Sequence, residues 1–242
     1  MKRNILNLLI LVLFAPSFAY AQESRGNEKT QTVVEKDIQS YLNQVAGYSV
    51  IYSGKAEEPY SLEFVDHPYL GSDKFSAGTL CYNGIIYTDV MLRYDTYKGG
   101  FLVRHPGLLF GVELKTERVN WAVLNGHKIV ASKEVGWENT PDNGFLILLH
   151  EDVYPVIKVS KSVARNRKEG QIVEFYFKFE NQYYICVDGV CHLLKNKKSV
   201  LDLFPDKKGE LNQYANQKRL NFKGNPDTAY VELVKYYESL SR

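Results

Sequence analysis

Apolar positions along the chain change their period twice, and those changes divide it into three stretches. Val34, Ile38, Tyr41, Leu42 and Val45 recur at helical spacing and form one apolar stripe, which predicts a helix over 28–46 that stops at Gly47. From 48 to 195 the period falls to two. Tyr48–Tyr52 and Ser61–Val65 read as short strands. Leu80–Tyr82, Asn83-Gly84 and Ile85–Tyr87 read as a hairpin, because Asn-Gly tolerates the two positive φ angles of a type I′ turn. Thr88, Val90, Leu92 and Tyr94 then alternate with Asp89, Met91, Arg93 and Asp95, one face buried and the other wetter, up to the turn at Lys98-Gly99-Gly100 and the strand Phe101–Val103. A second Asn-Gly, at 125–126, separates Trp121–Leu124 from Lys128–Val130. The alternation breaks phase around Thr116–Val119. Asp142-Asn143-Gly144 leads into Phe145–Leu149, and Tyr154–Val159 follows.

Val173, Phe175, Phe177 and Phe179 mark another strand, read here as turning at Glu180-Asn181 into Gln182–Val187. Asp188-Gly189 turns again into Val190–Leu194. Hairpin signals at short intervals, with no helices between them, predict an antiparallel meander. The tail returns to helical spacing. Ser199 is expected to cap a turn over Val200–Phe204, and Pro205-Asp206 to open a helix bearing Leu211, Tyr214 and Ala215. Asn225-Pro226 pairs a capping side chain with an N1 proline, ahead of the stripe Tyr230, Leu233, Val234, Tyr237 and Leu240. The fold class expected is α+β: a mainly antiparallel, twisted or partly rolled sheet over 48–195, with an N-terminal helix and a helical tail over 196–242.

Residues 1–21 have the pattern of an export signal. Lys2 and Arg3 precede the apolar run Ile5–Phe14, and Ala19-Tyr20-Ala21 matches the small-x-small cleavage pattern. The span is short for a membrane-crossing helix and is interrupted by Asn7, Pro16 and Ser17. The reading is a signal peptide, then one mature domain over 22–242 with no transmembrane segment, exported to the periplasm or the outside of the cell. Loss of Lys2 and Arg3 takes the formal charge from +2 to zero. That balance excludes a nucleic-acid binder on charge grounds. It is uneven, however: residues 195–242 hold 10 Lys/Arg against 6 Asp/Glu. Lys195, Lys197, Lys198, Lys207 and Lys208 lead a basic stretch that offers either a surface for an anionic partner or solvated helix faces.

Export makes a disulfide chemically available. Cys186 and Cys191 flank Val187-Asp188-Gly189-Val190, so a two-residue hairpin sets them opposite each other at a non-hydrogen-bonded site. Both a cross-strand disulfide and two packed thiols fit that register. With a turn at Glu180-Asn181, Phe175, Phe177, Tyr184, both cysteines and Leu193 would share one face. Cys81 reads as a buried free thiol. His150-Glu151-Asp152 is the densest titratable cluster, read either as a solvated strand end or as an acid–base or metal group. Asp66-His67 would point to opposite faces of a strand. No zinc-protease, nucleophile-elbow, phosphate-loop or dinucleotide motif occurs, so no cofactor and no catalytic residue are assigned. Trp121 and Trp137 are candidates for sugar stacking, and Trp137 is the more loop-like of the two.

Three segments, YSGK at 52–55, GTLCYNGIIYTDVMLRYDTYKGGFLV at 78–103 and KNKKSVLDLFPDKKGELNQYANQKRLNFKGN at 195–225, together resemble exported proteins of unassigned function from Bacteroidetes-type Gram-negative bacteria. The resemblance implies a place in the cell envelope and brings no catalytic residues with it. The Cys186/Cys191 pair is not part of that pattern. The function expected is a non-enzymatic binding or interaction module for a glycan, a peptide or an envelope protein. The alternatives are a carboxylate-based hydrolase of an envelope polymer and a structural partner of an outer-membrane complex.

Overall fold

The computed structural model describes residues 50–241 apart from 108–109 and 142–143, and for Glu169 the backbone alone. The helix expected over 28–46 lies outside the described residues. Eleven strands form one open antiparallel sheet: β1 (Lys55–Ala56), β2 (Ser76–Tyr82), β3 (Ile85–Asp95), β4 (Gly100–Arg104), β5 (Gly111–Glu113), β6 (Val119–Leu124), β7 (His127–Ala131), β8 (Phe145–His150), β9 (Val156–Glu169), β10 (Ile172–Val187) and β11 (Val190–Leu194). Three helices follow: α1 (Lys197–Leu203), α2 (Lys208–Gln217) and α3 (Pro226–Leu240). Among the described residues no helix is long and apolar enough to cross a membrane.

The tight turns behave as their residues dictate. Asn83/Gly84, Asn125/Gly126 and Asp188/Gly189 all have positive φ, which an Asn or Asp tolerates and a glycine adopts without strain. The order β1-β5-β4-β3-β2-β6-β7-β8-β9-β10-β11 departs from a single meander. Two meanders run outward in opposite directions from the β2·β6 pair. β2 also carries register shifts against both neighbours, at Gly78/Leu80 and at Cys81/Tyr82. Such bulges bend a strand and increase its twist.

Curvature follows. Phe101 on β4 and Phe145 on β8 are separated in the sheet by four strands, which would hold them about 24 Å apart on a flat surface at ordinary strand spacing. Their ring centroids are 5.0 Å apart. Leu80, Leu92, Val103, Leu124, Ile129 and Ile147 fill the concavity with them. The β3–β4 turn closes on β9, where the Ser162 amide donates to the Thr96 carbonyl.

Three sequence expectations give way to the structure. Residues 50–52 form a 3-10 turn, not a strand. Ser61–Val65 contributes a single parallel bridge, Phe64 to Phe175. Glu180-Asn181 is not a turn: β9 and β10 pair without interruption from Val156↔Ile185 to Glu169↔Ile172, and the chain reverses at Gly170-Gln171. Polar side chains on a two-stranded ribbon open to solvent imitate a turn signal. The shift of parity also separates Phe175 and Phe177 from Tyr184 and the cysteines, because residues an odd number apart on one strand face opposite ways.

In the tail, Asn196 caps α1 by accepting the Ser199 amide, while the Ser199 hydroxyl accepts the Lys195 amide. Asn225 caps α3 ahead of Pro226, as its sequence implies. Tyr230, Leu233, Val234 and Tyr237 of α3 pack with Leu211 against Val156, Tyr183, Ile185 and Leu194, so the helices cover the concave-side face of β9–β11. The opposite face of β8–β11 is left to the connection between β7 and β8.

Candidate functional site

Alternation on β6–β8 decides what lies on that outer face. Ala122, Leu124, Ile129 and Ile147 point into the concavity, so Trp121, Val123, Lys128, Val130, Leu146 and Leu148 point out. The register places Trp121 opposite Val130, Val130 opposite Leu146, and Lys128 between Val123 and Leu148. The β7–β8 connection then folds back over this surface. Its Glu138 amide donates to the Gly189 carbonyl and its Glu138 carbonyl accepts the Cys191 amide, which straps the connection to the edge of β11. Trp137 is thereby held half-buried against Leu146, Ile157, Val159, Cys186 and Cys191.

Cys186 and Cys191 are joined by a disulfide, with their Cα atoms 4.0 Å apart. Their amides donate outward, to Pro155 and Glu138, so the two residues occupy a non-hydrogen-bonded site, where side chains approach most closely. Cys81 is free and buried, and burial pushes its thiol up from the usual range.

A groove of about 650 Å³ runs between the strap and the sheet. Trp121, Val123, Val130 and Leu148 line it from the strands, and Val135 and Trp137 from the strap. Three charged side chains reach it. Lys128 Nζ and Glu151 Oε2 lie 2.5 Å apart, and Glu134 accepts a hydrogen bond from Asn120. Trp137 also borders a second depression of about 440 Å³, shared with Thr116, Ser132 and Thr140. The two tryptophans singled out by residue type therefore meet at one site, brought there by elements that the sequence does not show to be neighbours.

The His150-Glu151-Asp152 cluster divides. Glu151 turns to the groove and Lys128. His150, at the end of β8, turns inward, and its Nε2 lies 2.9 Å from Glu238 Oε2 in the last turn of α3. The other Glu238 oxygen accepts the Tyr154 amide at 3.0 Å. Asp152, exposed, completes a trio whose ligand atoms all lie within 4.8 Å of one another. Glu238 carries no sequence signal for this role, because it lies 88 residues from His150.

The basic stretch is largely engaged by its own neighbours. Lys198 and Lys208 pair with Asp202, Lys207 pairs with Glu210, and Lys197 donates to Asn212 and Asn216. Lys195, Lys198 and Lys208 are exposed and Lys197 and Lys207 half-buried, and none of the five lines the Trp groove. Asp66 accepts the Phe177 amide and His67 accepts the Tyr69 amide, so each serves the backbone around it. No protein-family model, curated protein or solved structure matches this chain.

Proposed function

We propose that the protein is an exported binding module whose ligand occupies the groove between Trp121 and Trp137, and that the ligand class is a glycan. The observation that carries this reading is the convergence of both tryptophans on one apolar-walled groove edged by Lys128, Glu134 and Glu151. Indole faces receive the apolar faces of pyranose rings, and charged or amide groups at the rim hydrogen-bond the hydroxyls. A strap fastened to the rest of the sheet by backbone hydrogen bonds presents Trp137 at low conformational cost, which favours recognition by a pre-formed surface. The disulfide supports an oxidising compartment and hence export. The engaged lysines weigh against a separate docking patch in the tail.

A second reading rests on the carboxylates. Glu134 and Glu151 both line the groove, and two carboxylates across a sugar site are what a glycoside hydrolase requires. Titration with purified envelope oligosaccharides, followed by tryptophan emission and calorimetry, separates the two readings. Binding without cleavage, weakened at least tenfold by Trp137→Ala or Trp121→Ala in protein that stays folded by circular dichroism at the assay temperature, supports the binding module. Release of new reducing ends that stops in Glu134→Gln or Glu151→Gln supports the hydrolase. Saturable binding that survives loss of both tryptophans refutes the groove as the site.

A further inference from the structure

Glu238 is placed against ordinary helix electrostatics. It lies in the last turn of α3, where the negative end of the helix dipole disfavours an anion and where no basic residue is present. It is only 5% exposed, and a second carboxylate, Asp152, lies beside it. A buried carboxylate in that position calls for a cation, and the group that faces it is the His150 imidazole.

We propose that His150, Asp152 and Glu238 form a divalent-metal site of the zinc type. One imidazole and two carboxylates match the donor preference of such ions and leave a neutral cluster around a doubly charged ion. The spacing fits. Two ligands at the tetrahedral angle and ordinary zinc distances stand about 3.4 Å apart, and His150 Nε2 and Glu238 Oε2, separated by 2.9 Å, need to part by only about half an ångström. The ion enters between these atoms and replaces their hydrogen bond. The Tyr154 amide already holds the other Glu238 oxygen, which orients the carboxylate as the outer hydrogen bonds of metal sites do. Asp152 has at most about 1.4 Å to close, since its ligand atom lies within 4.8 Å of the other two and tetrahedral ligand pairs stand about 3.4 Å apart. As an exposed side chain on the β8–β9 connection it can make that movement, and it gives the ion a path from solvent. The site would tie the end of β8 to α3, so it fastens the tail helix to the sheet independently of what the Trp groove binds.

Zinc itself is the probe. Protein stripped with EDTA and freed of any histidine tag is titrated with Zn²⁺ against a chromophoric chelator. One ion per chain is expected. Asp152→Asn should weaken binding at least tenfold, while Glu151→Gln, whose side chain faces the groove, should leave it within twofold. Variants at His150 and Glu238 perturb a buried contact and so report folding as well as ligation. Asp152 is exposed, and Asp152→Asn should melt like the wild type in EDTA yet lose the rise in melting temperature that zinc gives the wild type. Absence of stoichiometric zinc uptake by the wild type overturns the proposal. So does Asp152→Asn binding zinc as tightly as the wild type.

Discussion

Reduction of the Cys186–Cys191 bond removes one crosslink from a hairpin whose register is otherwise held by backbone pairing with β9 and with Glu138. The closed loop contains six residues, from Cys186 to Cys191. The chain-entropy relation gives an unfolded-state entropy loss of about 7.4 cal/mol/K for that loop, or about 2.2 kcal/mol at 25 °C. With a urea dependence near 2 kcal/mol/M, the unfolding midpoint should fall by about 1 M on reduction. The assay is equilibrium urea unfolding with and without a thiol reductant, followed by tryptophan emission, because Trp137 packs against the cluster that holds both sulfurs. The variant Cys186→Ala/Cys191→Ala separates crosslink from packing. It should ignore the reductant and lie below the reduced wild type by the contacts of two buried sulfurs. Coincident midpoints for oxidised and reduced wild type would refute the account, and a loss well above 4 kcal/mol would mean that the bond supports more than its own loop.

Gly78→Ala should cost about 1–3 kcal/mol, since its Cβ would lie 2.5 Å from the Val123 carbonyl oxygen of β6, a backbone atom that cannot rotate aside; a midpoint shift under 0.3 M in urea would contradict this. Phe145→Ala should cost about 3–5 kcal/mol, because the ring meets Tyr94 and Phe101 across the concavity, and chemical denaturation reads the loss. Glu238→Ala, measured in EDTA, should cost about 1–3 kcal/mol by leaving His150 and the Tyr154 amide without their hydrogen-bond partner, and a melting temperature equal to wild type would argue against the contact. Above pH 10 the fold should weaken. Burial raises the phenols of Tyr94 and Tyr183, so the unfolded chain releases those protons near pH 10 while the folded chain retains them. Stability from these groups is intact below that pH and falls above it, which urea midpoints between pH 9 and 11.5 test directly.

Features set within a few residues were legible in the chain. Asn83-Gly84 and Asn125-Gly126 make their turns through φ angles that those residues accept locally. The Cys186/Cys191 register needs only the two-residue turn between Val187 and Val190. Asn225-Pro226 opens α3 through a side-chain cap and a ring that fixes φ. The strands over Val173–Phe179 and Gln182–Val187 were legible, but the outer half of β9 was not, because residues 161–169 are polar apart from Val163 and Ala164 and lose the alternation that a half-buried strand shows. Glu180 and Asn181, paired there with Lys161 and Ser160, had the composition of a turn without its backbone.

The candidate sites divide along the same boundary. Residue type alone pointed to Trp121, Trp137 and His150. Chain order could not bring Trp137 over β8–β11, because the strap is held by Glu138 bonding to Gly189 and Cys191 some fifty residues later. Nor could it join His150 to Glu238, whose meeting depends on α3 burying Tyr230, Leu233 and Val234 against β9–β11. By itself the sequence determined turns, caps and the period of each segment, since these depend on local dihedral preferences and on which side chains avoid water. The tertiary structure alone decided that β2 pairs with β6, how far the sheet curls and which polar groups converge. Those outcomes depend on long-range burial, in which one apolar face chooses among many compatible partners.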